Sequence, residues 1–244
     1  MIKAGFILLT IVMALLIFLA ASKTANKVFP SPAQRNKFKI RTAAIITGWI
    51  VYITILSLNG VFASVALPPR IPLLLVLPAF AFTVFFFTSS RFKSVINATP
   101  AAWVVYAQSF RIVVELLLAG LYVQGILPRA ATFEGYNFDI VIGITSLLVG
   151  YFAFVKNAIP PAILITWNVA GFTTLAIVVF IVISHAYRPG IWADGNTQFI
   201  KDFGAFPYTL LAGFLMPLAV FLHIFSIVKT TAIRKAASTN KLAI

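Results

Sequence analysis

Along the chain, apolar runs long enough to cross a bilayer alternate with short polar connections. Seven such runs lie near residues 4–22, 42–63, 72–89, 101–123, 138–155, 160–184 and 206–228. A helix needs roughly 17–25 apolar residues to span the hydrocarbon core. The runs are continuous and lack the in/out alternation of a barrel wall, which predicts helices rather than strands. The expected fold is therefore all-α, a polytopic transmembrane bundle of seven spans forming one domain over residues 1–244. Helix-end signals agree. Thr99 before Pro100 reads as an N-cap with proline at the first helical position, and Asn137 before Phe138 and Asp139 as a cap with an acid in the first turn. Pro78 and Pro217 fall inside spans three and seven, where each removes a helical hydrogen bond and predicts a kink.

Composition strengthens the membrane reading. Apolar residues make up 61% of the chain and charged residues 10%, against roughly 25% charged in a soluble domain. The absence of Cys removes disulfides, thiolate metal sites and Cys nucleophiles, and two His with five acids leave little for metal or acid–base work. No metal or cofactor is expected. The net charge of +14 is read against topology. Lys23, Lys27, Arg35, Lys37, Lys39, Arg41, Arg91, Lys93, Lys156, Lys229, Arg234, Lys235 and Lys241 fall on one side of a seven-span bundle. Lys3, Arg70, Arg129, Arg188 and Lys201 fall on the other, with Glu134, Asp139, Asp194 and Asp202. The positive-inside bias predicts an outer N-terminus and a cytoplasmic C-terminus. The cytoplasmic surplus suits anionic lipid headgroups, and no nucleic-acid module surrounds it. Met1, Ile2 and Lys3 followed by an apolar run ending in Leu19, Ala20, Ala21 and Ser22 also resemble a secretory signal. Cleavage there would translocate the charged connection against the bias, so an uncleaved helix on the lipid-facing rim is expected.

Candidate chemistry centres on the fourth span. Arg111 and Glu115 lie four residues apart near its middle, where a charge costs several kcal/mol unless it faces protein, water or a partner. Gln108, Arg111, Glu115 and Tyr122 recur at helical spacing and are expected on one inward face. Two readings follow: a self-neutralising intrahelical pair, or a polar cavity in which Arg111 holds an anionic or carbonyl-bearing group beside Glu115. Asp139, Gly143, Ser146 and Gly150 form a small-residue strip suited to close packing in span five, with Asp139 first a partner of the helix dipole. Asn168 with Trp167 and Gly171 interrupts span six, and His223 lies in the inner part of span seven. His185 and His223 lie at opposite depths, which argues against a shared metal. Residues 198–203 are expected to form an interfacial helix. The connections around residues 132–139 and 185–206 are aromatic and acidic, which suits ordered turns first and the cover of an outward opening second.

Seven spans invite comparison with known architectures. A retinal protein would need a Lys inside the last span, where only Lys229 approaches, at its end. A three-plus-one-plus-three sugar carrier would show repeated halves and a Pro-Gln motif, neither of which appears. A local resemblance is carried by Ser109, Phe110, Arg111 and Glu115, then Thr132, Phe133, Glu134 and Gly135 with Asn137 and Asp139, then Trp167, Asn168 and Gly171, and finally residues 214–226 around Pro217 and His223. Over roughly residues 105–228 these resemble a family of multi-pass bacterial membrane proteins of unknown activity, which implies an inner membrane and no mechanism. The leading expectation is binding or translocation of a small polar or anionic solute near Arg111 and Glu115, with Gln108, Tyr122, Asp139, Asn168 and His223 nearby. The alternatives are a structural or assembly subunit of a membrane complex, and an enzyme acting on a lipid or isoprenoid. The enzyme reading lacks a metal motif, a nucleophile turn and a His cluster.

Overall fold

The computed structural model describes residues 1–64, 66–192 and 202–242, with backbone alone for Pro189 and residues 233–242. Every regular element among them is helical. Five helices have the length and hydropathy of a membrane span, six if the bent pair Pro72–Thr88 with Ser90–Ala98 is counted as one.

The chain opens as a helical hairpin of α1 (Ile2–Val28) and α2 (Pro32–Leu58). Both extend past the expected apolar limits, so the basic residues from Lys23 to Arg41 ride on helix ends rather than in a loop. The turn between them is closed locally. Ser31 Oγ accepts from Gln34 N, and Arg35 donates to the Phe29 and Pro30 carbonyls at 2.7 and 3.0 Å. One face of α1 buries Phe6, Leu9 and Met13, while Leu8, Ile11, Leu15 and Leu19 are exposed, as a rim helix in lipid requires.

Both internal prolines are met by the same device. A π-helical turn, Pro72–Val76, precedes α3 (Leu77–Thr88), and another, Leu211–Leu215, precedes α9 (Met216–Leu242). Pro78 and Pro217 are the second residues of their α-helices, so each wide turn absorbs the missing N–H and the ring's bulk. The carbonyls that the prolines orphan lie four residues back. Tyr52 Oη donates to Leu74 O at 3.3 Å and Trp49 Nε1 to Gly213 O at 2.8 Å. These two aromatic donors stack on one another on α2, 5.1 Å between ring centroids, and so serve both breaks from one helix.

The middle of the chain is more broken than the hydropathy implied. After α3, a 3-10 turn and α4 (Lys93–Ala98) bend the path by 71°. Thr99 ends α4, its hydroxyl donating back to Val95 O at 2.8 Å, so it is not the N-cap of the next helix. That cap is Pro100. The expected fourth span is divided into α5 (Ala101–Ala107) and α6 (Phe110–Val123) by a turn at Gln108 and Ser109. It is followed by α7 (Asp139–Phe154) and α8 (Pro161–Tyr187).

The depth of α7 positions the site. A Cβ on Gly143 would come 2.9 Å from the Ile112 backbone nitrogen, and one on Gly150 2.6 Å from the Tyr106 ring, so only glycine permits this approach. The register is antiparallel to α5 and α6, and Asn137 meets Glu115 at the entry to α7. From Glu115 to Val123 is eight residues, about 12 Å of helix. The first residue of α7 therefore lies about that far inside the end of α6, and the preceding connection dips into the bundle, with Ala131, Thr132 and Asn137 buried.

The ends of the elements fall into two groups. At one, Thr24 bonds to Thr99 at 3.3 Å, Lys23 lies over the Trp103 ring and Lys229 donates to Asn97 O at 2.7 Å. At the other, Phe6 meets Tyr208 and Tyr136 meets Trp192.

Candidate functional site

Four helices converge on Arg111, which is 1% exposed. Its Nε donates to Asp139 Oδ2 at 2.8 Å and its Nη2 to Asp139 Oδ1, a side-on bidentate ion pair between α6 and the first residue of α7. Nη2 also donates to Thr174 Oγ1 on α8 at 2.9 Å, and Nη1 to His223 Nε2 on α9 at 2.7 Å. All three guanidinium nitrogens are engaged. Of the two readings of the fourth span, the intrahelical Arg111–Glu115 pair is therefore corrected: the partner of Arg111 is Asp139. An arginine reaches across a helix interface as readily as along its own helix, and the bidentate carboxylate geometry is available from Asp139.

Hydrogen-bond bookkeeping fixes the state of His223. Asn168 Nδ2 donates to Leu164 O at 2.7 Å and to Ser226 Oγ at 2.9 Å, so its Oδ1 faces His223 Nδ1, 2.9 Å away, as an acceptor. Nδ1 therefore carries the proton and Nε2 accepts from Arg111. The ring is neutral and held at both ends. Gly171 makes room for it, since a Cβ there would overlap the imidazole. Gln108, also buried, donates from Nε2 to Ala219 O at 3.2 Å, tying the break between α5 and α6 to α9.

Glu115 belongs to a second, smaller arrangement. Its Oε1 accepts from Asn137 Nδ2 at 2.6 Å, and the same amide nitrogen donates to Ala131 O. Asn137 Oδ1 in turn accepts from Asp139 N at 3.0 Å, so the expected cap works through its side chain although Phe138 is the helix boundary. Glu115 Oε2 is buried with no hydrogen-bond partner among the described residues. Glu115 lines a cavity.

The cavity has a volume of about 130 Å³. Arg111, Glu115, Asn137 and Asp139 form its polar floor. Its walls are hydrocarbon from both π turns and from α8, including Val76, Leu215, Leu175, Val179 and Val182. Phe62, Ser64, Tyr187 and Phe203 line it toward the end of the bundle that holds the Phe6–Tyr208 contact.

Of the residues expected to share a site, Arg111, Asp139, Asn168 and His223 form one network, and Glu115 joins its edge through Asn137. Gln108 is a neighbouring helix tie. Tyr122 is not part of it: it lies beyond the level at which α7 begins and is 36% exposed. Thr174 and Ser226 were not expected, because a hydroxyl in an apolar helix gives no sign of its partner. His185 stacks on Trp192 at 4.5 Å, remote in the chain from the Arg111 contacts. Residues 193–201, with Asp194, most of the expected interfacial helix and Lys201, lie outside the described residues. Among the described residues no cluster of three or more His, Cys, Asp or Glu is placed to hold a metal ion. Comparison with family models, curated proteins and solved structures gives no match.

Proposed function

We propose that the protein is a multi-pass integral membrane protein that binds an amphipathic, mostly hydrocarbon molecule in the cavity above Arg111 and Glu115. The observation that carries this reading is the contrast between apolar walls running toward one end of the bundle and a charged floor at its centre. Such a shape suits a chain with one polar end. The small anionic solute suggested by the Arg111 side chain is less well supported, because Asp139 already holds the guanidinium on two nitrogens. The network of Arg111, Asp139, Thr174 and His223 instead fixes four helices around the floor, and the broken helices beside it match the general habit of membrane proteins that bind at mid-depth.

The topology that accompanies this reading has seven crossings, α7 being the shortest, with the basic ends of the bundle cytoplasmic and the cavity opening outward. The sequence resemblance supports a bacterial inner membrane as its location. The test is thermal unfolding of the full chain in nanodiscs with twelve-carbon amphiphiles. Stabilisation should be concentration-dependent and should disappear in Val179→Trp, which fills the cavity from α8. If no amphiphile stabilises the protein, or if Val179→Trp responds like the parent, the assembly-subunit reading becomes the better one.

A further inference from the structure

The cluster at the cavity floor holds two acids and one cation. Arg111 and Asp139 neutralise one another through a bidentate pair, and the neutral His223 adds no charge. Glu115 is the surplus group. Asn137 occupies one of its oxygens, the other is buried with no partner among the described residues, and the residue lines the cavity. A buried carboxyl keeps its charge only when a positive charge or several donors meet it, and an incoming cation is therefore the group that would hold Glu115 as a carboxylate.

We infer that the ligand of this cavity is an amphipathic cation whose ammonium group meets Glu115 Oε2 while its hydrocarbon chain lies along α8 and the two π turns. The inference rests on the cavity being a ligand site, as proposed above. An ammonium supplies both things the floor lacks, a donor for the free oxygen and the charge that balances the second acid. A carboxylate-headed amphiphile would bring a further negative charge to a floor whose one cation is already engaged. Asn137 is then a positioning residue: by bonding Oε1, the Ala131 carbonyl and the first amide of α7 together, it holds the Glu115 carboxyl at the cavity floor and ties it to the inward-dipping connection.

The experiment uses the full chain in nanodiscs and three probes of one chain length: dodecylammonium, dodecanol and laurate. Dodecylammonium should bind at least tenfold more tightly than the other two. Glu115→Gln keeps an oxygen for Asn137 and removes the charge. It should abolish that preference while leaving dodecanol binding within about threefold, a factor of ten being 1.4 kcal/mol. Dodecanol or laurate binding as well as dodecylammonium, or an ammonium affinity unmoved by Glu115→Gln, overturns the inference while leaving the cavity as a ligand site. Failure of all three probes to distinguish the parent from Val179→Trp instead overturns the cavity reading itself. Should Glu115→Gln fail to fold, Asn137→Ala with unchanged ammonium preference would overturn the positioning argument, and reduced preference at retained dodecanol binding would support it.

Discussion

At the residue scale, a charge in the middle of an apolar run marked Arg111 as buried and partnered, but it did not identify the partner. The sequence offered Glu115 at helical spacing; the fold supplied Asp139, 28 residues away. Choosing between them needed the depth at which α7 begins, and neighbouring residues do not encode that depth. The energetic consequence is specific. Asp139→Asn should destabilise by about 3–5 kcal/mol, because it leaves a buried guanidinium without its counter-charge, whereas Arg111→Met combined with Asp139→Leu should restore most of the loss. Detergent thermal denaturation of the two variants checks this, and equal damage from both would mean the ion pair is not the dominant tie. Gly171→Ala should cost about 1–3 kcal/mol, since the added methyl must displace a His223 ring held at both nitrogens. Gly48→Ala on α2, where a Cβ would meet nothing within 4 Å, is the matched control and should be neutral or slightly stabilising.

At the element scale, the hydropathy pattern located nearly every helix, and its errors have a common cause. It reports how apolar a stretch is, and says nothing of where the backbone ladder breaks. The breaks before Pro78 and Pro217 occur inside apolar sequence, and the one at Gln108–Ser109 falls on two polar residues that hydropathy averages away. The prolines were visible; the π turns and the aromatic donors that answer them were not, because Trp49 and Tyr52 lie in a different helix. Their role can be isolated. Trp49→Phe should cost about 1–3 kcal/mol by leaving the Gly213 carbonyl buried and unpaired. In a Pro217→Ala background the new amide N–H competes for that carbonyl, so the same substitution should cost less. A double-mutant cycle of unfolding free energies measures the difference, and additivity would remove the link between the indole and the proline break.

At the scale of the whole molecule, the open question is whether α7 completes a crossing. Its 16 residues make about 24 Å of helix, short of a hydrocarbon core of about 30 Å. The preceding connection supplies the rest of the path by dipping to the level of Glu115, which irregular backbone can do where protein rather than lipid surrounds it. Ala131, Thr132 and Asn137 are buried there, as this requires. The chain has no Cys, so single cysteines can be introduced cleanly on either side of this element. Glu134 and Lys156 flank α7 and are both exposed. In intact cells an impermeant maleimide should label Glu134→Cys directly and Lys156→Cys only after permeabilisation, and a reporter fused after Ile244 should read cytoplasmic. Labelling of both cysteines from the same side would make α7 a re-entrant element and reduce the crossings to six. With the C-terminus cytoplasmic, an even count would bring the N-terminus to that side too, dissolving the charge asymmetry between the two ends of the bundle. The positions of Lys23, Arg35 and Lys93 at one end, opposite the mouth of the cavity, are the reason to expect the seven-crossing result.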